Sequence, residues 1–264
     1  MAPTTDLATR FLALHQGPEP LLLANAWDVG TAKALAVVGF QALATTSAGH
    51  AASLGRKDGN VTRDEALAHA ADLVGATDLP VSADLENGFA DSPDEVAETV
   101  RRAVEAGLAG CSIEDYDGAA VYDAGLARER VAAAVEANAG RLVLTARAEN
   151  HIRDVQDLDD TIARLQSFQE AGADVLYAPG LVAEADIRRL VESVDRPVNV
   201  LALPGAPTVA ELGAIGVGRI SVGSGFTMVT YGALVEASRE LLDHGTYGWW
   251  ATAAHTAALG DAFD

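Results

Sequence analysis

Cysteine is almost absent from this chain, since Cys111 is the only one among 264 residues. A single cysteine cannot form an internal disulfide, and the chain therefore fits a reducing compartment such as the cytoplasm. Without a cysteine and histidine set at metal-ligand spacing, a zinc site is also disfavoured. We interpret Cys111 as a core residue of a buried strand rather than as a nucleophile.

Long apolar runs are missing as well. No stretch of about 18 uninterrupted apolar residues occurs, and so we expect no membrane span. The segment Met1–Gln16 mixes Asp6, Arg10 and His15 into its apolar residues, which is unlike a signal peptide. Positive charge is scarce too, because 18 Lys and Arg stand against 38 Asp and Glu, a net charge of −20. So acidic a surface repels phosphate backbones, and we expect no nucleic-acid partner.

What the chain does contain is a regular alternation of short, β-rich apolar runs with longer stretches that carry charges at helical spacing. Eight runs predict strands, at Leu21–Ala24, Ala42–Thr46, Pro80–Asp84, Gly110–Glu114, Leu142–Arg147, Asp174–Ala178, Pro197–Leu201 and Arg219–Gly223. Predicted helices between them include Thr31–Val38, Arg63–Gly75, Pro93–Ala106, Leu126–Ala139, Leu158–Ala171, Glu184–Val194 and Val209–Ile215. Strands that alternate with helices run parallel, because each crossover returns the chain to the same end of the sheet.

Eight such units favour an α/β fold of the (β/α)8 TIM-barrel type. An open doubly wound sheet is the alternative, but it usually carries G-x-G-x-x-G after its first strand, where Asn25-Ala-Trp-Asp28 stands here. We expect a single domain over 1–264, with the barrel at about 20–225 and extra C-terminal helices at about 226–264. Trp249 and Trp250 in that extension are large apolar side chains, and we expect them to pack either on the barrel itself or on another subunit.

Polar residues follow the predicted strands at the end where barrels carry their chemistry. The residues at or just beyond the strand ends are Asn25, Trp27 and Asp28 for strand one, Thr45, Thr46, Ser47 and His50 for strand two, Asp84 and Glu86 for strand three, Glu114 and Asp115 for strand four, Arg147, Glu149 and Asn150 for strand five, and Gly223-Ser224-Gly225 for strand eight, while Asn199 lies within strand seven. We therefore expect these groups to converge on one rim.

The strongest candidate for a functional site on this rim is the group of Asp84, Glu86 and Glu114. Residues two apart on a strand point the same way, and Glu114 ends the neighbouring strand about 4.8 Å away. Three carboxylates this close raise one another's pKa unless a cation lies between them. Oxygen ligands alone favour Mg²⁺, with Mn²⁺ as the alternative. A solvated loop that merely carries acids is the competing interpretation.

Arg147 supplies the complementary charge. At the end of strand five, its guanidinium would reach the rim opposite the carboxylates and could bind a substrate carboxylate or phosphonate through its fork of donors. A structural salt bridge to Glu149 or Glu114 is the alternative.

Several motifs, in the right order from about residue 20 to 240, carry a family resemblance. They are Asn25-Ala-Trp-Asp28, Ser82-Ala-Asp-Leu-Glu-Asn-Gly-Phe89, Ser112-Ile-Glu-Asp115, Thr145-Ala-Arg-Ala-Glu-Asn150, Gly172-Ala-Asp-Val-Leu-Tyr-Ala-Pro179 and Pro197-Val-Asn-Val200. With these motifs the sequence resembles the isocitrate lyase / phosphoenolpyruvate mutase superfamily.

The resemblance implies roles for particular residues. Asp84 would bind Mg²⁺, with Glu86 and Glu114 contributing partly through water. Arg147 would bind the substrate, Asp58 would be the acid of a mobile gating loop, and Glu114 would take part in catalysis. The residues that would contact the small oxo-acid substrate are Thr46, Ser47, Ala48, Trp27, Asp28 and Asn199. The resemblance further implies a dimer or tetramer, often with a C-terminal helix exchanged between subunits.

Two departures from the family pattern reduce the range of reactions that we expect of this chain. Lyase members carry Lys-Lys-Cys-Gly-His after strand four, where Asp115-Tyr-Asp-Gly118 stands here, and mutase members carry a histidine where this chain has Pro179. We expect a Mg²⁺-dependent decarboxylase or lyase that cleaves a C–C bond next to the carbonyl or carbinol of a small oxo or hydroxy acid, through a pyruvate-enolate-like intermediate. A mutase or hydrolase of a P–C bond, or a barrel that binds metal and oxo acid without turnover, are the alternatives.

Overall fold

The eight predicted strands form one closed sheet in the computed structural model, which describes residues 4–253, 256, 259, 260, 262 and 263. The strands are β1 Leu21–Ala26, β2 Leu43–Thr45, β3 Val81–Asp84, β4 Gly110–Glu114, β5 Val143–Arg147, β6 Val175–Tyr177, β7 Val198–Leu201 and β8 Arg219–Ser221. Each strand pairs in parallel with the next, and β8 pairs with β1 through Leu21 and Arg219. The predicted (β/α)8 barrel is therefore confirmed, and the open sheet is excluded.

The helices are α1 Thr4–Leu14, α2 Val29–Val38, α3 Ser47–Ser53, α4 Arg63–Ala76, α5 Pro93–Glu105, α6 Ala124–Asn138, α7 Leu158–Glu170, α8 Glu184–Glu192, α9 Val209–Ala214, α10 Gly225–His244 and α11 Trp250–Ala253, with a 3-10 turn at His151–Arg153. Side-chain caps explain where several of them begin. Thr62 and Glu65 form a reciprocal capping box at the start of α4, and Ser92 accepts from the Glu95 amide at the start of α5. None of the helices among the described residues has the length and apolar character to cross a membrane.

Two helices lie where the sequence predicted none. The first, α1, closes the amino-terminal end of the barrel, where Phe11 is buried against Leu21, Leu23 and Val143. The second, α3, begins directly after β2 with Thr46 as its N-cap. The short Ala-rich sequence of α3 was predicted as loop because one helical turn gives little periodicity.

The C-terminal extension begins with α10, whose 20 residues include only one buried side chain, that of Thr227. Its exposed apolar side chains include Val229 at 71% and Leu242 at 83% of their full accessible area. Trp249 and Trp250 stack on each other with their ring centroids 4.7 Å apart. Residues 254, 255, 257, 258, 261 and 264 of the predicted extension lie outside the described residues.

Candidate active site

The three strands β3, β4 and β5 are neighbours, and each ends in a charged residue at the same rim of the barrel. Asp84 is the last residue of β3, Glu114 of β4 and Arg147 of β5. The register places Glu114 directly beside Arg147. Because parallel strands end at one edge, these three side chains meet at the mouth of the barrel.

Arg147 lies among the carboxylates, whereas the sequence predicted it opposite them. Its Nη1 donates to Asp84 Oδ1 at 2.9 Å, and its Nη2 lies 3.0 Å from Glu114 Oε2 and 2.9 Å from Glu149 Oε1. The long side chain reaches across β4, since only that strand separates β5 from β3. The salt bridges to Glu149 and Glu114 that the sequence left as an alternative are therefore present. Together with the contact to Asp84, they occupy much of the guanidinium fork.

The position of Asp84 is fixed from the neighbouring strand β2. Its backbone amide donates to Thr45 Oγ1 at 2.8 Å, and its Oδ2 accepts from the Ser47 amide at 3.2 Å. The start of α3 is thus tied to the carboxylate. Thr46 caps the same helix, because its hydroxyl accepts from the Gly49 amide at 3.3 Å.

Glu86 lies at the rim because of the turn that follows β3, and not because it alternates with Asp84 along the strand. The strand ends at Asp84, and Glu86 has a φ of +48°, in the left-handed region. The reason given from the sequence, that residues two apart on a strand share a direction, is therefore wrong here. The turn still keeps the two acids together, since the Glu86 amide lies 3.4 Å from Asp84 Oδ1. Burial, and then the charges of Asp84 and Asp58, raise the pKa of Glu86 to about 7.

Glu114 is the most buried of the three predicted metal ligands. Burial raises its pKa to about 8, Arg147 opposes that rise, and the charges of Glu149 and Asp84 add to it. Burial is the main cause of the raised pKa of both Glu86 and Glu114, and the charges of neighbouring acids add to it.

Glu149 and Arg153 belong to the same network. Glu149 is completely buried, and Arg153 Nη2 lies 3.3 Å from its Oε2 and 3.6 Å from Glu114 Oε1. The Arg153 guanidinium also covers the ring of Tyr116 at 3.9 Å. The sequence analysis did not identify Arg153, although its spacing of four residues from Glu149 is a signal for an ion pair on a helical turn.

Two cavities meet at this network. An outer cavity of about 1080 Å³ is lined by Asp58, Glu86, Glu114, Tyr116, Glu149 and Arg153 among others. An inner cavity of about 160 Å³ runs into the barrel and is lined by Thr46, Ser47, Ala48, Asp84 and Asn199 among others. Ser47 and Arg147 line both cavities and form the passage between them. Most of the predicted site residues are thereby brought together.

Trp27 and Asp28 line neither cavity. Asp28 caps α2, where its Oδ1 accepts from the Thr31 amide at 2.7 Å. The Trp27 carbonyl oxygen lies 3.0 Å from Nε2 of His69 on α4. Their predicted contact with substrate stays a prediction, and in this structure both residues contact neighbouring helices.

The chemistry of the donors at the rim suits a hard divalent cation. Within the described part of the chain, no three acidic, histidine or cysteine side chains are grouped closely enough to ligate one ion directly. Mg²⁺ commonly keeps several waters and takes only one or two carboxylates from the protein. Asp84 at the passage, with the carboxyl groups of Glu86 and Glu114 beside it, fits such a partly hydrated ion.

Comparison with known proteins matches residues 11–242 to the sequence model of the phosphoenolpyruvate phosphomutase family. A solved structure from Burkholderia cenocepacia J2315, assigned provisionally as a lyase/mutase, has a TM-score of 0.91 at 47% identity and covers 94% of this chain and 92% of that one. The 2-methylisocitrate lyase of Bacillus subtilis (strain 168) is 32% identical over 75% of this chain and 67% of its own length. A solved 2,3-dimethylmalate lyase of the PEP mutase/isocitrate lyase superfamily has a TM-score of 0.82 at 26% identity, covering 94% of this chain and 90% of that one.

Proposed function

Because this chain belongs to the phosphoenolpyruvate phosphomutase family, and is an enzyme of the isocitrate lyase / phosphoenolpyruvate mutase superfamily, we propose that it is a Mg²⁺-dependent lyase of a small oxo or hydroxy acid. The bond it cleaves is a C–C bond next to the substrate carbonyl or carbinol, and one product fragment is a pyruvate-like enolate. The observation that carries this proposal is the group of Asp84, Glu114 and Arg147 at the passage between the two cavities.

Asp84, Glu86 and Glu114 are the proposed metal ligands, in part through water. Members of this superfamily use a divalent metal ion. When bound, Mg²⁺ supplies Lewis-acid stabilisation of negative charge on a substrate oxygen. Contacts within the protein orient the acids, since Thr45 and Ser47 fix Asp84 while Arg147 contacts both Asp84 and Glu114.

Substrate binding is proposed for the start of α3 and for Arg147. Ser47 and Ala48 line the inner cavity beside Asp84, where backbone and hydroxyl donors suit a carboxylate. Arg147 holds the acids in place and faces both cavities, so that a substrate carboxylate would share its positive charge. Asn199 lies deeper in the same cavity.

Asp58 is proposed as the acid of the gating segment. It lies on the wall of the outer cavity, in the stretch between α3 and α4, and its charge contributes to the raised pKa of Glu86. Closure of this segment over the passage would exclude water and protect an enolate from early protonation.

The names of the relatives favour C–C cleavage, because 2-methylisocitrate lyase and 2,3-dimethylmalate lyase are both named for it. The segment Asp115–Gly118 lacks the cysteine that lyases of the isocitrate type carry, which disfavours 2-methylisocitrate itself as the substrate. A P–C bond is the second candidate, because the matching family is described as a phosphomutase. The histidine that mutase members carry is absent here, because Pro179 stands at that position and lines the inner cavity.

The test is a panel assay in the presence of Mg²⁺ that measures the release of pyruvate and, with phosphonopyruvate, also the formation of phosphoenolpyruvate. Oxaloacetate, 2,3-dimethylmalate, 2-methylisocitrate and phosphonopyruvate are compared, each with an EDTA-treated control. We expect pyruvate from at least one carbon acid and its loss on chelation. If phosphonopyruvate is the only compound converted, the enzyme acts on a P–C bond rather than on a C–C bond. No turnover of any compound, together with Mg²⁺-dependent oxalate binding, would indicate a barrel that binds without catalysis.

A further inference from the structure

Residues 86–91, here called the Glu86 turn, follow β3 and form part of the wall of the outer cavity. Glu86 and Phe89 have φ values of +48° and +60°, and Gly88 lies between them at +78°. Non-glycine residues rarely adopt this left-handed region, because the side chain then crowds the following carbonyl oxygen. Two such residues within four positions need contacts from outside the turn to hold them in place.

Arg130 on α6 supplies three of these contacts. Its Nη1 donates to the Ala90 carbonyl at 2.6 Å and also to the Asp91 carbonyl, while its Nη2 donates to the Asn87 carbonyl. The Arg130 side chain has only 1% of its accessible area exposed, so that water competes little for these hydrogen bonds. All three acceptors belong to the Glu86 turn, and the main chain therefore bends around a single guanidinium.

The ring of Tyr122 fixes the direction of that guanidinium. Arg130 Cζ lies 4.2 Å from the centroid of the Tyr122 ring, which is a cation–π contact. The Tyr122 hydroxyl donates to Asp91 Oδ1 at 2.6 Å and accepts from Asn87 Nδ2 at 3.0 Å. Asn87 and Asp91 are thus each held twice, through their carbonyls by Arg130 and through their side chains by Tyr122.

Filling space on α6 does not require an arginine. Burial lowers the pKa of Arg130, which reflects the cost of placing a cation away from water. An apolar side chain would fill the same space without that cost. It could not supply donors to three carbonyls at once, whereas the guanidinium carries its donors in a rigid planar fork.

The Glu86 turn also connects the three proposed metal ligands. The Glu86 carbonyl accepts from the Glu114 amide at 2.9 Å, and the Glu86 amide lies 3.4 Å from Asp84 Oδ1. Asn87, whose carbonyl Arg130 contacts, is the next residue of the chain. A shift of the turn therefore moves Glu86 relative to both Asp84 and Glu114.

We propose that Arg130, held on the ring of Tyr122, is a positioning residue that sets the affinity of the rim for Mg²⁺ by fixing the Glu86 turn. Arg130 acts through the turn, since it lines neither cavity itself. The inference rests on the proposed function in taking Asp84, Glu86 and Glu114 as the metal ligands. Groups that only orient metal ligands change metal affinity by about 10–100-fold, and this is the effect that we expect of Arg130.

The first experiment compares the Mg²⁺ requirement of wild-type and variant proteins, which is the Mg²⁺ concentration that gives half-maximal oxalate binding in a calorimetric titration. In Arg130→Met this requirement should rise by about 10–100-fold. Val131→Ala is the matched control, because it removes buried apolar atoms from the same helix. It should lower the melting temperature and leave the Mg²⁺ requirement unchanged. A wild-type requirement in Arg130→Met would overturn the inference, and so would an equal rise in Val131→Ala, which would attribute the effect to a general loss of stability.

Two milder variants serve if Arg130→Met does not fold. Arg130→Lys keeps the charge, but a single nitrogen cannot bridge three carbonyls, and we expect the Mg²⁺ requirement to rise about tenfold. Tyr122→Phe keeps the ring beneath the guanidinium and removes the hydroxyl, which should raise the requirement about two- to tenfold, as the loss of one hydrogen bond would. Folded forms of both variants that keep the wild-type requirement would overturn the inference.

The second experiment, amide hydrogen exchange in the absence of Mg²⁺ and oxalate, tests the turn independently of the proposed function. The Gly88 amide donates to the Leu85 carbonyl at 2.7 Å and should exchange slowly in the wild type. Arg130→Met should speed this exchange at least about tenfold, whereas Val131→Ala should not. Unchanged exchange in Arg130→Met would overturn the inference whatever the oxalate result. Failure of the wild type to bind oxalate with Mg²⁺ would instead count against the proposed function, and the exchange rates would then decide alone whether Arg130 fixes the turn.

Discussion

Arg147 Nη1 donates to Asp84 Oδ1 at 2.9 Å across the width of β4, which separates the strands of the two residues. The pair joins the proposed metal ligand to the proposed substrate arginine. It also explains how Glu114, on the strand between them, can be buried beside two other acids, since the same guanidinium contacts Glu114 at 3.0 Å. The site is thus a network of opposite charges rather than a row of acids facing an arginine.

The metal proposal is tested by Asp84→Ala. We expect Mg²⁺-dependent oxalate binding to weaken by at least about 100-fold, because even groups that only orient metal ligands cost 10–100-fold in affinity. The measurement is calorimetric titration of oxalate at fixed Mg²⁺. Asp78→Ala is the matched control, since Asp78 is exposed in the loop that precedes the same strand, at the far end of the barrel. Unchanged oxalate affinity in Asp84→Ala would refute the assignment.

Removing the charge of Arg147 should destabilise the fold as well as the site. In Arg147→Met, the fully buried Glu149 and the buried Glu114 lose their closest cation. Breaking a buried ion pair in this way costs about 3–5 kcal/mol in the free energy of unfolding. Urea unfolding at neutral pH measures the loss.

The matched control for this measurement is Arg188→Met, which removes an exposed pair with Glu184. That change should cost about 1 kcal/mol or less. If the two variants lose the same small amount, the network around Arg147 contributes little to stability, contrary to expectation.

Acid should destabilise the protein through His15. Burial, and then the charge of Arg219, lower its pKa to about 3 in the folded chain from 6.5 in the unfolded chain, so that between these values the unfolded state binds the extra proton. The His15 contribution to stability is therefore fully present above pH 6.5 and is lost as the pH falls from there towards 3. Within that window the slope approaches about 1.4 kcal/mol per pH unit.

Urea unfolding of the wild type and of His15→Asn between pH 7 and about pH 5 measures this slope. We expect the variant to lose less stability than the wild type over that interval. His244→Asn, at the exposed end of α10, is the control and should keep the wild-type slope. Parallel curves for all three proteins would show that His15 is not the group that titrates.

The exposed apolar side chains of α10 predict a homo-oligomer. Val229 and Leu242 are largely exposed on a helix that buries only Thr227, and so large an apolar surface usually meets a partner. We expect a dimer or tetramer by light scattering after size-exclusion chromatography. Val229→Asp combined with Leu242→Asp should shift it towards the monomer. Val209→Asp on α9 is the control and should leave the mass unchanged, and a monomeric wild type would contradict the prediction.

The alternation of apolar runs and helical stretches was sufficient to predict all eight strands, with ends that differ by at most two residues from those observed. The position of Asp84 and Glu114 at the rim was predictable for the same reason, because a residue at the end of a parallel strand must lie there. Short elements were not predictable. The helix α3 was missed because its seven residues show no apolar period, and the left-handed Glu86 was missed because non-glycine residues rarely adopt that conformation.

The sequence by itself therefore determined the barrel, its order of strands and the rim on which the acids lie, because these follow from local patterns repeated along the chain. Tertiary structure alone decided which charges pair. Asp84 and Arg147 are 63 residues apart and meet across β4, whereas Arg219 and His15 are 204 residues apart and meet where β8 closes the barrel against β1. Tertiary structure also decided that Arg147 contacts carboxylates while Arg130 contacts carbonyl oxygens, since burial and neighbours, rather than residue type, fix the charge balance of an interior site.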